Sequence, residues 1–522
     1  MGPRSDRSQS AHPALEQIHV ETAPPPEPDH RGTTAAASFW LVILWSAREP
    51  QRVGHSAFCA EGRTHLLGRA PQAKASEAPL RFAAVRPDEA GGVVAGGDPV
   101  LGESVSRRQL EIVVERDRLL VRNVGRCPLW INGELASRAE VGHGDVIYLQ
   151  QQLLLLCVSR PATLPSLCGY PQDRLGEFGS ADADGLVGES YPTWELRRQL
   201  GQYGPSDGHV LIVGGSGVGK ELVARALHQL SRQRRQAFIA ENIATIPPNL
   251  GTALLFGNRR NFPNPGMEER VGLIGHAEGG TLFLDEIGDM SLEAQPLLLR
   301  VMERDGDYVR LGDETQLRRA NVRFIAATNH PDRLRPELRR RFLHEIHIPS
   351  LDERREDIPL LIRHILITRA AKRPSLAAFL HNGQPRVEPL FVEQLVRHAY
   401  STHVSELAFL VEQAAADCGQ QVLRALPPHV LHRRSEPIVE RLGSNKPAPS
   451  EAPIPSAPTS GLVLPSAEDA QRALDWERGN VAQAATRLGI SRHALNRLIR
   501  RHTLRVRRST ASSDSSSGED ES

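Results

Sequence analysis

The chain has no long apolar run. Its longest are Phe39 to Trp45 and Leu153 to Val158, far short of the roughly 18 residues that a membrane-spanning helix needs. No integral membrane segment is expected. The five cysteines, Cys59, Cys127, Cys157, Cys168 and Cys418, are scattered and form no CxxC, which excludes the common zinc spacing and a disulfide framework. Reduced thiols in the cytoplasm are the simplest account. The start, MGPRSDRSQS, has no apolar stretch after its charges, so no secretory signal is expected. An excess of one charge is also lacking: 63 Lys plus Arg face 62 Asp plus Glu, a net +1. Any nucleic-acid contact must therefore come from a local basic patch.

What is present is enough for about three domains, from 522 residues at roughly 150 per domain. The composition, 40% hydrophobic and 24% charged, is that of an ordinary soluble protein. Residues 1–37 are polar and Pro-rich, and read as a disordered leader. Residues 38–160 hold short apolar or alternating runs separated by Gly, Asn and Asp (FWLVILW, QLEIVVER, RLLVRNV, DVIYLQ). That is the pattern of an all-β sandwich. Residues 161–187 read as a linker. In 188–350, apolar strands (HVLIVGG, TLFLDE, VRFIAATN) alternate with helical stretches, predicting an α/β domain with a parallel sheet. Residues 351–425 are helical in period with no strand-like run. Residues 426–465 are a Pro-rich tether, 466–508 a compact helical segment, and 509–522 an acidic, Ser-rich tail. The expected fold class is multidomain: an all-β sandwich, an α/β core with a helical lid, and an all-α C-terminal module.

The strand HVLIV runs into GGSGVGKE and then a helix. Gly214, Gly215, Ser216, Gly217, Val218 and Gly219 form a loop whose glycines let backbone amides face phosphate oxygens. Lys220 adds a cation at the helix N-terminus. Glu221 stands where the generic phosphate loop has Ser or Thr. TLFLDE should aim Asp285 and Glu286 at the carboxyl edge of the sheet, where ligands of open α/β sheets bind. Asp285 suits Mg²⁺, and Glu286 suits polarising an attacking water. VRFIAATN ends at Asn329, an amide able to orient that water. Arg335, Arg339, Arg340 and Arg341 follow, and an arginine across a subunit boundary can neutralise transition-state charge.

GGSGVGKE, LLFGN, AEGGTLFLDEIGDMSLEAQPLLLRVME, VRFIAATN and LDERREDIPLL together resemble the AAA+ domain of bacterial enhancer-binding proteins, the ATPases that activate sigma-54 RNA polymerase. The resemblance covers about residues 188–418. It implies ATP and Mg²⁺ as cofactors and a ring of subunits with ATP between neighbours. It accounts for Glu221, places the family's switch asparagine on Asn242, and places its two arginines on Arg335 and Arg341. The shortened loop between those two favours Arg341 as the finger. Two departures stand out. The family's GAFTGA loop reads NRRNFPNPGMEER here, retaining Phe262 and Gly266 but stiffened by Pro263 and Pro265, which argues against the usual sigma contact. The segment GNVREL reads THVSEL, with Ser405 where the sensor II arginine belongs.

In 466–508, apolar residues from Ala473 to Ile499 fit three short helices. From Ser491 to Arg508 there are seven Arg and no acidic residue, a local basic face suited to DNA. The segment resembles the Fis-type helix-turn-helix. Arg492, His493, Asn496 and Arg497 are the candidates for base edges, and Arg500 and Arg501 for phosphates. The front module resembles a forkhead-associated (FHA) domain, an eleven-strand sandwich that binds phosphothreonine, through Gly68-Arg69, Ser106-Arg107 and Asn132-Gly133. The resemblance implies phosphate contacts from Arg69, Ser106 and Arg107. It departs from the family at Gln109, where the family has His, and around Arg126 to Pro128.

Three readings stay open. The first is an ATP-dependent, DNA-binding regulator with sigma-54 as partner. The second is a sigma-independent or non-hydrolysing DNA-binding regulator. The third is a phosphothreonine-binding signalling adaptor. All place the chain in the cytoplasm.

Overall fold

The computed structural model describes residues 37–427, except 70–73, 75, 88–96, 101, 103, 168, 248–249, 263, 304–305, 314–315 and 419–420, together with Gln471 and Leu474. The chain divides into two compact units, Met1–Gly443 and Ser444–Ser522. The leader, the acidic tail and the DNA candidates Arg492, His493, Asn496, Arg497, Arg500 and Arg501 lie outside the described residues. In the second unit, Gln471 and Leu474 are helical, and Leu474 is buried.

Among the described residues, eleven strands come first: β1 (Ala37–Ser46), β2 (Ser56–Cys59), β3 (Thr64–Leu67), β4 (Glu77–Pro79), β5 (Leu110–Glu115), β6 (Arg118–Asn123), β7 (Leu129–Ile131), β8 (Glu134–Ala136), β9 (Arg138–Val141), β10 (Val146–Leu149) and β11 (Leu153–Pro161). They make two sheets, ordered β2-β1-β11-β10-β7-β8 and β4-β3-β5-β6-β9. Leu41, Ile43, Ile147, Leu155 and Cys157 from the first pack on Leu67, Leu110, Ile112, Leu119 and Val121 from the second. The other face of the first sheet is apolar as well. Trp40, Val42, Leu44, Val146, Leu154, Leu156 and Val158 share one buried cluster with the helices that follow the sandwich in the chain. A strand buried on both faces has no polar alternation to show, which is why FWLVILW and LLLLCV run unbroken.

Residues 161–187 join the sandwich to the α/β region without being a free tether. Leu164, Leu167, Tyr170, Leu186 and Val187 are buried. Asp182 pairs at 3.0 Å with Arg197 in a site where both side chains are almost fully covered.

The α/β region runs α1 (Tyr191–Tyr203), β12 (Val210–Val213), α2 (Lys220–Gln229), β13 (Phe238–Asn242), α3 (Gly251–Phe256), α4 (Leu273–His276), β14 (Thr281–Asp285), α5 (Gln295–Val301), the short pair β15 (Asp307–Tyr308) and β16 (Arg318–Arg319), β17 (Arg323–Thr328), α6 (Pro336–Arg339) and β18 (His344–His347). The main sheet is ordered β13-β14-β17-β12-β18, and all its pairings are parallel. Val210 and Ile212 face one core cluster and Leu211 the other, as expected for a central strand covered on both sides. Ser190 caps α1, its side chain accepting from Thr193 N.

The lid contains α7 (Ile358–Ala370), α8 (Pro389–Arg397) and α9 (His403–Asp417). The expectation of no strand in 351–425 needs a correction. A small hairpin, β19 (Leu380–His381) with β20 (Gln384–Pro385), sits between α7 and α8. Asn382 and Gly383, at φ 49° and 72°, form its turn, the left-handed pair that Asn-Gly favours.

Candidate nucleotide site

The carboxyl edges of β12, β14 and β17 form one crevice. From β12, Gly214 to Gly219 lead into α2. Gly217 and Gly219 have φ of 78° and 105°, a region where a Cβ is strained. Lys220, the first residue of α2, is 7% exposed. Its Nζ lies 3.0 Å from Glu286 Oε1 and donates to Gly214 O at 3.2 Å. The loop lysine and the strand-end glutamate thus converge, with a counter-charge already in place for the ammonium.

Glu286 adopts φ 50°, ψ 46°, a left-handed conformation rare outside glycine and concentrated at functional sites. Its second oxygen accepts from Asn329 N at 3.4 Å. Asp285 Oδ1 accepts from Glu286 N at 3.0 Å. Burial raises the Asp285 pKa, and Lys220 pulls it back. Among the described residues, no three His, Cys, Asp or Glu side chains are grouped to hold a metal. Asp285 alone at the crevice mouth fits Mg²⁺ of the kind held by one carboxylate, waters and substrate phosphates.

The other candidates fall less closely together. The Asn242 side chain accepts from Ala244 N at 2.9 Å, capping the short turn after β13. Strand register sets it beside Asp285, but among the described contacts Glu286 is held by Lys220 and Asn329 instead. Asn329 is exposed at the end of β17. Ser216 and Glu221 are exposed, and Glu221 pairs with Arg225 at 2.7 Å. Arg335 is exposed, with its backbone N donating to Gln295 Oε1 at 2.8 Å. Arg341 is exposed and pairs with Glu303 at 2.8 Å.

The lid closes on the phosphate loop. A Cβ added at Gly217 would lie 2.4 Å from Thr402 O and 2.7 Å from Ser405 Oγ, and one at Gly215 would lie 2.5 Å from His403 Nε2. Ser405, at the position where the family resemblance puts an arginine, is therefore packed against the loop. His403 sits at φ 45°, and burial lowers its pKa. The turn before α9 is held by Glu406, whose Oε2 accepts from Ser401 N, Ser401 Oγ and Thr402 N.

The stretch 258–270 is folded on itself. Asn258, fully buried, donates through Nδ2 to the carbonyls of Arg259, Phe262 and Glu268. Asn261 Oδ1 accepts from Gly266 N. Phe262 lies against Gly312, where a Cβ would meet its ring at 2.5 Å.

The Sigma-54 interaction domain family matches residues 186–348, the segment carrying this crevice. The DNA-binding transcriptional regulator NtrC of Azospirillum brasilense is 34% identical over 65% of this chain and 72% of its own length. The chain belongs to the NtrC-type transcriptional regulators that carry a Sigma-54 interaction domain. An anaerobic nitric oxide reductase transcription regulator NorR, from Aeromonas hydrophila, is 34% identical over 62% of this chain and 64% of its own length. Among solved structures, NtrX from Brucella abortus in complex with ADP is 27% identical, covers 62% of this chain and 71% of its own, and has a TM-score of 0.42.

The sandwich brings a second group together. The backbone at Gly68 crosses the 106–107 segment so closely that a Cβ would lie 2.1 Å from Arg107 O, and Arg69 N donates to Ser106 O. Ser106 Oγ accepts from Arg126 N at 3.0 Å. Arg69, Arg107 and Arg126 are exposed around it. Gln109, fully buried, donates to Asn123 Oδ1 and Cys127 O and accepts from Ser106 N. It pins the two loops from beneath.

Sequence reasoning named Gln109 and Arg126 only as departures from the FHA resemblance and missed His403 and Thr402. Their roles come from contacts between distant loops, and no spacing within a single segment signals them.

Proposed function

We propose that this regulator binds and hydrolyses ATP in the crevice. In this reading the loop amides and Lys220 hold the phosphates, Asp285 carries Mg²⁺, and Glu286 polarises the attacking water. Asn329 orients that water, and Asn242, beside Asp285 in the strand register, takes the switch role that the family resemblance assigns. Arg341, or Arg335, reaches the γ-phosphate of a neighbouring subunit in a ring. The observation that carries the reading is the Lys220–Glu286 pair at 3.0 Å, which joins the phosphate ligand to the water-activating carboxylate. Phosphate release by wild type, Lys220→Ala and Glu286→Gln tests it. Wild type should turn over and both variants should fall to background, with Glu286→Gln keeping nucleotide affinity. Equal rates in all three would remove the ATPase.

The sandwich, in the same reading, is an FHA domain. A phosphothreonine protein is held by Arg69 and Arg107 with Ser106 donating a hydrogen bond, and Arg126 adds a third cation. The 466–508 segment is a Fis-type helix-turn-helix that binds DNA upstream of a promoter through Arg492, His493, Asn496, Arg497, Arg500 and Arg501. The protein works in the cytoplasm.

A second reading is favoured by the loop at 259–270. Its closure by Asn258 and the loss of the GAFTGA threonine suit a regulator whose assembly depends on nucleotide without the usual sigma-54 contact. Retention of sigma-54 with a transition-state nucleotide analogue decides between the two.

A further inference from the structure

We propose that Arg160, on the last strand of the sandwich, is a positioning residue for the nucleotide site. The proposal rests on the reading of the crevice as an ATP site. Arg160 and Glu356 pair at 3.2 Å with both side chains 8% exposed. Arg160 also donates to Ser56 Oγ at 3.1 Å, and its guanidinium lies 4.6 Å from the centre of the Trp40 ring. The sandwich therefore supplies two contacts to the cation, and Glu356 supplies the third. A buried pair of this kind contributes little to stability compared with apolar packing, whereas removing one partner leaves the other uncompensated.

Glu356 belongs to a tight segment, Asp352–Asp357, broken at Arg354 by φ −134°, ψ 45°. Three other residues on it reach different parts of the molecule. Arg354 Nη2 donates to Val218 O in the phosphate loop at 3.3 Å. Arg355 Nη1 bonds Val396 O and His398 O in the lid. Asp357 accepts from Glu189 N, Ser190 N, Ser190 Oγ and Thr193 Oγ1 at the head of α1. Just before the segment, Leu351 N faces His403 Nδ1 at 3.5 Å, the ring that lies on Gly215.

The Arg354 contact has a consequence for phosphate. The carbonyl of Val218 and the N–H of Gly219 belong to one planar trans peptide. Tying the oxygen to Arg354 fixes the direction in which the Gly219 N–H points. Gly219, at φ 105°, has little steric preference of its own, so the anchor on the carbonyl sets the orientation. Arg160 holds Glu356, which lies two residues from Arg354 on the same short segment. The sandwich thereby helps to aim a phosphate-binding amide that belongs to another domain.

The test uses the full-length chain and Arg160→Met, which keeps bulk and loses charge. Three quantities are measured: affinity for Mg-ATP, kcat against KM, and hydrogen exchange at the amides of Val218, Gly219 and Lys220 without nucleotide. Arg160→Met should weaken Mg-ATP binding and raise KM about five- to tenfold, a typical coupling between sites, with kcat within about twofold, and should speed exchange at those amides. Arg160→Lys should restore part of the affinity. Glu356→Gln should match Arg160→Met, and the double variant should be no worse than either single one. Ser56→Ala, which loosens Arg160 from the sandwich side alone, should shift affinity in the same direction by less, and serves if Arg160→Met fails to fold. Unchanged affinity and unchanged exchange in folded Arg160→Met would overturn the proposal. Wild type that binds no Mg-ATP would sink the nucleotide reading instead, and the exchange comparison would still decide whether Arg160 orders the loop.

Discussion

Three glycine substitutions in the phosphate loop separate backbone strain from lid contact. Gly219→Ala meets strain alone: φ is 105°, and the nearest atom to an added Cβ is Leu222 Cδ1 at 3.7 Å. An L-residue forced into left-handed backbone costs about 1–2 kcal/mol. Gly215→Ala meets contact alone: its Cβ would press on His403 Nε2 at 2.5 Å, an overpacking cost of about 1–3 kcal/mol. Gly217→Ala meets both, at φ 78°, and its closest neighbour is the backbone oxygen of Thr402 at 2.4 Å, which cannot rotate away. Its cost should approach the sum, about 2–5 kcal/mol, and should be relieved in part by the lid lifting from the loop. The assay is urea unfolding without nucleotide, with hydrogen exchange over residues 401–406. Gly217→Ala should be the least stable of the three and should deprotect 401–406, whereas Gly219→Ala should leave that stretch unchanged. Equal losses in all three, or protected lid residues in Gly217→Ala, would refute the placement of the lid on the loop.

Further outcomes follow from the same geometry. Arg341→Ala removes an exposed pair with Glu303 and should change stability by less than about 1 kcal/mol, while ATP turnover in the assembled protein falls by orders of magnitude if Arg341 is the finger; normal turnover would transfer that role to Arg335. Arg323, 2% exposed, donates to the carbonyls of Tyr203, Gly204 and Gly208, so Arg323→Met should cost about 3 kcal/mol or more by orphaning them, read by chemical denaturation. Burial opposes ionisation of Glu406, but bonds from His398, Thr402 and Ser401 outweigh it and hold its pKa down to about 2. A lowered folded-state pKa stabilises above the ordinary glutamate range and is lost as pH falls through about 2. Exchange protection at 401–402 should therefore differ between wild type and Glu406→Gln at neutral pH, and the two should converge near pH 2.

The phosphate loop and the end of β14 were legible because each is a local pattern: glycines, lysine and helix in one segment, an apolar strand ending in two carboxylates in another. That Lys220 and Glu286 meet follows from strand order, which the sequence only suggests. Asn242 shows the limit: its register beside Asp285 could be expected, but its side chain has a nearer partner in Ala244 N. The unbroken run FWLVILW reads as strand without telling what covers its second face; the answer is the linker and the helices beyond it, more than a hundred residues along the chain. The Asn382-Gly383 turn was an overlooked local signal, its hairpin too short to show alternation. Arg160 and Glu356 are ordinary charged residues in sequence, and their pairing becomes visible only once the sandwich is docked on the lid.

The account turns on nucleotide chemistry in the crevice at Lys220, Asp285 and Glu286. Single-turnover phosphate release with Mg-ATP, beside a calorimetric titration of the same protein, tests this most directly. Saturable heat in wild type and in Glu286→Gln, with release in wild type alone, is the expected result. No heat and no release from folded wild type at millimolar Mg-ATP would contradict it.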